Sequence, residues 1–197
     1  MTTRDRTFSA AAAALLAAFS AGLGADASES GIAMLSGHAK AAVAAYASAL
    51  KSELTAAMQA GGPVQALDVC HTQAPRIADE ISAQQGMRIS RVSRRNRNPA
   101  AAPNAWQAAV LQDFETHLAA GTDPATLAWQ EIVDVDGGRE FRFMQAIATQ
   151  PLCLTCHGDA IAPEVAATLS ELYPDDKATG FAAGELRGAF VVTTAVD

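Results

Sequence analysis

The stretch Pro151-Leu152-Cys153-Leu154-Thr155-Cys156-His157-Gly158 is the one around which the chain is organised. Cys153, Cys156 and His157 spell Cys-x-x-Cys-His, the pattern of covalent c-type haem attachment. Two intervening residues let one tight turn present both thiols to one porphyrin edge, and the adjacent imidazole reaches the metal without a second segment. Other chemistries use part of this pattern. A thioredoxin-like dithiol needs a βαβ setting, but here the motif follows Pro151. A structural zinc site needs four ligands, usually a second close Cys or His pair, and the one remaining cysteine is Cys70.

Upstream, Arg4 and Arg6 precede an apolar run from Phe8 to Leu23, and Ala25-Asp26-Ala27 supplies the small-x-small pattern of a signal peptidase site. Residues 1–27 therefore read as a signal peptide, and 28–197 as a single domain. The run is short and alanine-rich for a bilayer span of about 20 strongly apolar residues. The expected product is exported to a compartment such as a bacterial periplasm, without stable membrane insertion. The full chain carries 14 basic and 21 acidic residues, a net charge of −7. That balance disfavours nucleic acid as a partner.

The pattern after residue 30 is first helical. Val43, Tyr46, Leu50, Leu54 and Met58 recur at three-to-four-residue intervals between Gly31 and Ala60. Gly61-Gly62 stops that helix and Pro63 suits the first turn of a second. The second carries Val64, Leu67, Cys70, His71, Ala74, Ile77 and Ile81, and Pro75 should bend or split it beside Cys70. From Met87 to Pro99 the first half can alternate as a strand. The second half, with Arg94, Arg95 and Arg97, reads as a solvated loop too charged to bury. Haem carries two propionates, and Arg suits bidentate carboxylate recognition, so these three are the candidate propionate partners.

Asn104 with Gln107 predicts a capped helix whose buried stripe is Trp106, Val110, Phe114 and Leu118, ended by Gly121. His117 lies beside that stripe. The period then changes to two: Trp129, Val133 and Val135 before Asp136-Gly137-Gly138, and Phe141 and Phe143 after it, predict a β-hairpin leading to Cys153. A helix over Pro163–Leu172 and a strand over Leu186–Val196 complete an α+β chain, helices first and a mainly antiparallel sheet after them. Small all-helical cytochromes c place the motif near the N-terminus, so a different haem fold is expected.

Several stretches together resemble a family of exported single-haem proteins long described only as a domain of unknown function. They are Asp68-Val69-Cys70; Arg94 to Pro99 followed by Pro103 and Trp106; Phe141 to Ile147 leading to the motif; Leu172-Tyr173-Pro174; and Gly184-Glu185-Leu186-Arg187-Gly188-Ala189. The resemblance runs from about Lys40 to Val192. It implies a PAS-like antiparallel sheet flanked by helices, one haem c bound through Cys153 and Cys156, His157 as one axial ligand and Cys70 as the other. It also implies a redox or gas-sensing role, since the family includes sensory domains of membrane receptors.

Residue chemistry alone reaches Cys70 less directly. An unpaired thiol in an oxidising compartment is protected by metal ligation, or it can be a small buried hydrophobe. His71 flanks the same stripe and rivals it, with His117, Met87 and Met144 as further candidates. Thiolate ligation stabilises ferric iron, whereas Met/His ligation raises the potential. The expected function is a low-potential one-electron carrier or redox-responsive module with a protein redox partner. The alternatives are a CO/NO sensor in which Cys70 is displaced and a peroxidase-type enzyme using His71 or His117. Turnover of a substrate is the least expected.

Overall fold

The structure, a computed structural model, describes residues 22–196. The expected leader falls almost wholly outside the described residues. No helix among them is long and apolar enough to cross a membrane. The chain divides into two units at Leu35, and residues 22–34 form the start of the first helix.

That helix, α1, runs over Gly22–Asp68 and is broken at Gly62, whose φ of 75° no L-residue adopts readily. Pro63 restarts it with a preset φ and no N–H to leave unpaired. Ala39, Ala42, Val43, Tyr46, Leu50 and Ala57 form its buried stripe. Beyond Asp68 the backbone widens into a π turn over Val69–Gln73, closed by the Ala74 N–H on the Val69 carbonyl, before α2 continues over Ala74–Gln85. Pro75 explains the widening: it cannot donate to the preceding turn, and its ring crowds that turn's carbonyl. The kink expected beside Cys70 is this π turn.

Four strands form one antiparallel sheet: β1 (Arg88–Val92), β2 (Ala128–Val135), β3 (Gly138–Ala148) and β4 (Leu186–Val196), in the order β1-β4-β3-β2. The hairpin pairs Val135 with Gly138 across a two-residue turn, as the Asp-Gly-Gly sequence predicts. Alternation gives the sheet two apolar faces. Ile89, Phe141, Phe143 and Val192 pack with α1 and α2 on one. Val92, Met144, Ala146, Ala189 and Val191 pack on the other with Val110, Leu111 and Phe114 of α3 (Ala105–Ala119). The predicted capping box of α3 is formed, with the Gln107 N–H donating to Asn104 Oδ1 and the Asn104 N–H to Gln107 Oε1. The short helices α4 (Leu154–His157) and α5 (Pro163–Leu172) follow β3, and α5 packs Val165 and Leu169 on Leu67 of α1 and on Tyr173. The class is α+β, as the sequence pattern implies.

Two features correct the sequence reading. The segment after β1 is not a solvated loop throughout, because Ser93, Asn96 and Arg97 are buried. Pairing of β3 with β4 is also interrupted: Ile147 faces Gly188 but Ala148 faces Leu186, which leaves Arg187 as the extra residue of a β-bulge. Next to it Gly188 has φ 153°, and a Cβ there would stand 2.3 Å from the Val92 carbonyl oxygen. Gly188→Ala is therefore expected to cost about 1–3 kcal/mol in backbone strain alone, with the clash added. At about 2–4 °C per kcal/mol for a domain of this size, thermal unfolding should show a drop of several degrees; an unchanged midpoint would mean that β1 and β4 separate freely there.

Candidate functional site

The thiols of the motif are set by two consecutive turns. Pro151 opens a 3-10 turn over Pro151–Cys153, and α4 continues it, which places Cys153 and Cys156 one helical turn apart on the same face. His157 ends α4. Its Nδ1 lies 2.6 Å from the Ala178 carbonyl, an acceptor only, so Nδ1 carries the proton and Nε2 keeps its lone pair. Burial, then the positive charges of Arg187 and Arg97, push the imidazole down to about 2, so it is neutral at any ordinary pH.

A strap downstream fixes this segment. The Gly180 N–H donates to the Gly158 carbonyl at 2.7 Å and the Phe181 N–H to the His157 carbonyl at 2.8 Å. Phe181 meets the His157 ring edge-on at 6.3 Å. Arg97 ties strap and motif together: its Nη2 donates to the Cys156 carbonyl at 2.6 Å and to the Ala178 carbonyl at 3.2 Å, while its Nε pairs with Asp176 Oδ2 at 2.9 Å. One carbonyl, that of Ala178, thus receives both the imidazole and the guanidinium.

Cys153, Cys156 and His157 line one cavity, and the residue that joins them from the π turn is Cys70. Leu50, Leu54 and Met58 of α1 supply part of its apolar wall, and Arg91, Arg97 and Arg187 are its cationic groups. No disulfide joins any of the three cysteines. Burial pushes the Cys70 thiol up, opposed by Arg91, Arg97 and Arg187; burial likewise raises Cys156. Cys70, Arg91 and Asn98 also line a second, more open cavity with Tyr46 and Pro75, so Cys70 borders both spaces.

Other candidates are not brought there. His71 is exposed on the π turn, edge-on to Tyr173 at 5.2 Å. His117 is exposed on α3 with Nδ1 against the Asp113 carbonyl at 2.9 Å. Met144 is in the core beneath α3, and Met87 in the core between α2 and the sheet. Of the three arginines singled out for propionates, Arg97 reaches the cavity. Arg94 instead pairs with Glu115 at 2.9 Å, and Arg95 bonds the Thr179 carbonyl and lies near Glu185 and over Phe181. Met58, Tyr173, Asp176 and Arg187 went unassigned from sequence. Met58 read as part of an apolar stripe, and only the Gly-Glu-Leu-Arg-Gly-Ala stretch marked Arg187 at all.

These residues suit an iron porphyrin: two thiols on one turn for its edge, an imidazole with Nε2 free for its metal, a third thiol from another element, apolar walls and guanidinium groups for its carboxylates. Among the described residues no three His, Cys, Asp or Glu side chains stand close enough together to hold a bare metal ion.

Comparison with solved structures gives a match to the crystal structure of the cyanobacterial heme-protein Tll0287, with a TM-score of 0.57 and 26% identity over 79% of this chain and 93% of that one. No curated protein matches. The model of the Tll0287-like family matches residues 26–195, nearly the whole length, and the chain belongs to that family.

Proposed function

We propose that the protein is a c-type haem protein that works as a low-potential one-electron carrier or redox-responsive module. One haem c would be attached through Cys153 and Cys156, with His157 and Cys70 as axial donors. The observation that carries this reading is the meeting of Cys70, Cys153, Cys156 and His157 in one cavity. Similarity to a haem protein supports it. When bound, the haem supplies one-electron exchange between ferric and ferrous iron. The chain's own groups set the terms. The Ala178 carbonyl holds the His157 ring in the tautomer that leaves Nε2 outward and raises its basicity as a donor. Cys70 must lose its proton to bind metal, and the three nearby guanidinium groups favour the thiolate against burial. A thiolate donor then holds the potential low. The partner is a redox protein, and the compartment is the periplasm or an equivalent, as the leader-like start suggests.

A second reading, a diatomic-gas sensor, is favoured by the outer cavity, which leaves Cys70 room to withdraw and a small neutral ligand a way in. A peroxidase-type role has less support, because His71 and His117 stand outside the inner cavity.

Absorption and electron paramagnetic resonance of the holoprotein, ferric and ferrous, test the donor set. The thiolate signature should vanish in Cys70→Ser and persist in His71→Ala and Met58→Leu; its persistence in Cys70→Ser would reject the assignment. Reduced protein that takes up CO with loss of sulfur ligation would favour the sensor over the carrier.

A further inference from the structure

We propose that Arg187 and Arg91, and not Arg94, Arg95 or Arg97, hold the two carboxylates of the tetrapyrrole. The assignment rests on the haem reading above.

Three guanidinium groups line the cavity, and their partners differ. Arg97 is committed to the Asp176 carboxylate and to two carbonyls, with a side chain only 7% exposed. Its Nε and Nη2 are thus committed within the protein, where it acts as a structural tie. Arg187 has no carboxylate partner among the described residues. Its Nη1 makes long contacts, 3.3 Å to Ser93 Oγ and 3.5 Å to the Arg95 carbonyl, and its guanidinium lies 5.1 Å from the Phe181 ring centre. Most of its five donors are therefore unused. Arg91 likewise has no carboxylate partner among the described residues, and sits 5.6 Å from the centre of the Tyr46 ring. Set against the single carboxylate of Asp176, the three cations leave an excess of two positive charges beside the cavity, in a chain whose net charge is −7. Uncompensated cations in such a place are costly unless an anion completes them. A haem has two propionates, one for each of the two guanidinium groups that lack a carboxylate partner.

The backbone supports the same assignment. Arg187 is the extra residue of the β3–β4 irregularity, and bulges re-aim a side chain that regular pleating would direct elsewhere. Regular alternation along β4 would put residue 187 on the α3 face with Ala189 and Val191; the bulge brings it to the cavity. Gly188, the next residue, lets β1 come close enough for Arg91 and Arg187 to share one cavity. Burial and the neighbouring Arg97 and Arg91 push Arg187 down to about 10, so it stays charged at neutral pH.

The test uses holoprotein made with a cytochrome maturation system, in wild-type form and as Arg187→Gln, Arg91→Gln and Arg94→Gln. Resonance Raman reads the propionate-bending bands, and a redox titration reads the midpoint potential. Pigment should stay covalently bound in all four proteins. The propionate bands should shift and the potential should fall in Arg187→Gln and Arg91→Gln, because loss of a nearby cation favours ferric iron; Arg94→Gln should match the wild type. Arg187→Lys keeps the charge without the fork, so its potential should return towards wild type while its bands stay displaced. Coloured protein whose bands and potential ignore both Arg187→Gln and Arg91→Gln overturns the assignment alone. A colourless wild type overturns the haem reading and this assignment with it.

Discussion

Asp176→Ala is expected to lower the unfolding free energy by about 3–5 kcal/mol, a large share of the roughly 5–15 kcal/mol that holds a domain of this kind together. The reason is what the substitution leaves behind. Arg97 and Asp176 meet at 2.9 Å with side chains 7% and 11% exposed, and the remaining partners of the guanidinium are the Cys156 and Ala178 carbonyls. Without the carboxylate, a full positive charge stays out of water with only dipoles to face it. The backbone loses a contact as well, because Asp176 Oδ1 accepts the Ala178 N–H at 2.7 Å and so fixes the peptide whose carbonyl orients His157. Urea unfolding followed by fluorescence measures the loss. Arg97→Met should be similarly damaging, since it strands the carboxylate, whereas Arg97→Met combined with Asp176→Leu should be milder than the sum of the two. A loss below about 1 kcal/mol, the range of an exposed pair, would show that water reaches the pair and that the tie between motif and strap is slack.

That pair joins residues far apart in the chain, beyond the reach of local sequence signals. Local signals were legible: the capping box at Asn104, the Asp-Gly-Gly turn, Pro163 opening α5 and the Val/Thr-rich run of β4 each act within a few residues, and the structure has each where the pattern places it. The turn that presents Cys153 and Cys156 together was legible for the same reason, since their spacing alone sets it. Arg97 was not, because a run of arginines reads as solvated until its carboxylate is known, and Asp176 is 79 residues away. Arg187 was missed for another reason. A bulge changes which face a residue takes without changing the composition of its strand, so alternation directs residue 187 to the wrong side. Between Cys70 and His71, an ideal helix could not choose. The π turn that Pro75 imposes on Val69–Gln73 brings Cys70 to the cavity and leaves His71 exposed.

Replacing both Cys153 and Cys156 by Ala should convert a pigment that survives denaturation and acidified organic solvent into one that is extracted completely, or into protein that emerges colourless. Either single replacement should retain one sulfur bridge and so retain pigment after denaturation, with a shifted absorption band from the unsaturated side group left behind. His157→Ala separates the two roles of the motif. It removes the Nε2 donor and the hydrogen bond to Ala178 but touches neither thiol, so the pigment should stay bonded while its low-spin spectrum is lost. The contrast follows from geometry: the thiols share one face of a single turn, whereas the imidazole is held from the strap at Ala178. Gel separation followed by haem staining, with pyridine haemochrome spectra of the same samples, reads every case. A wild-type protein whose pigment leaves the chain in acid solvent would reduce Cys153 and Cys156 to ordinary thiols beside a reversibly bound group. Cys70 and His157 would then remain as the means of holding it.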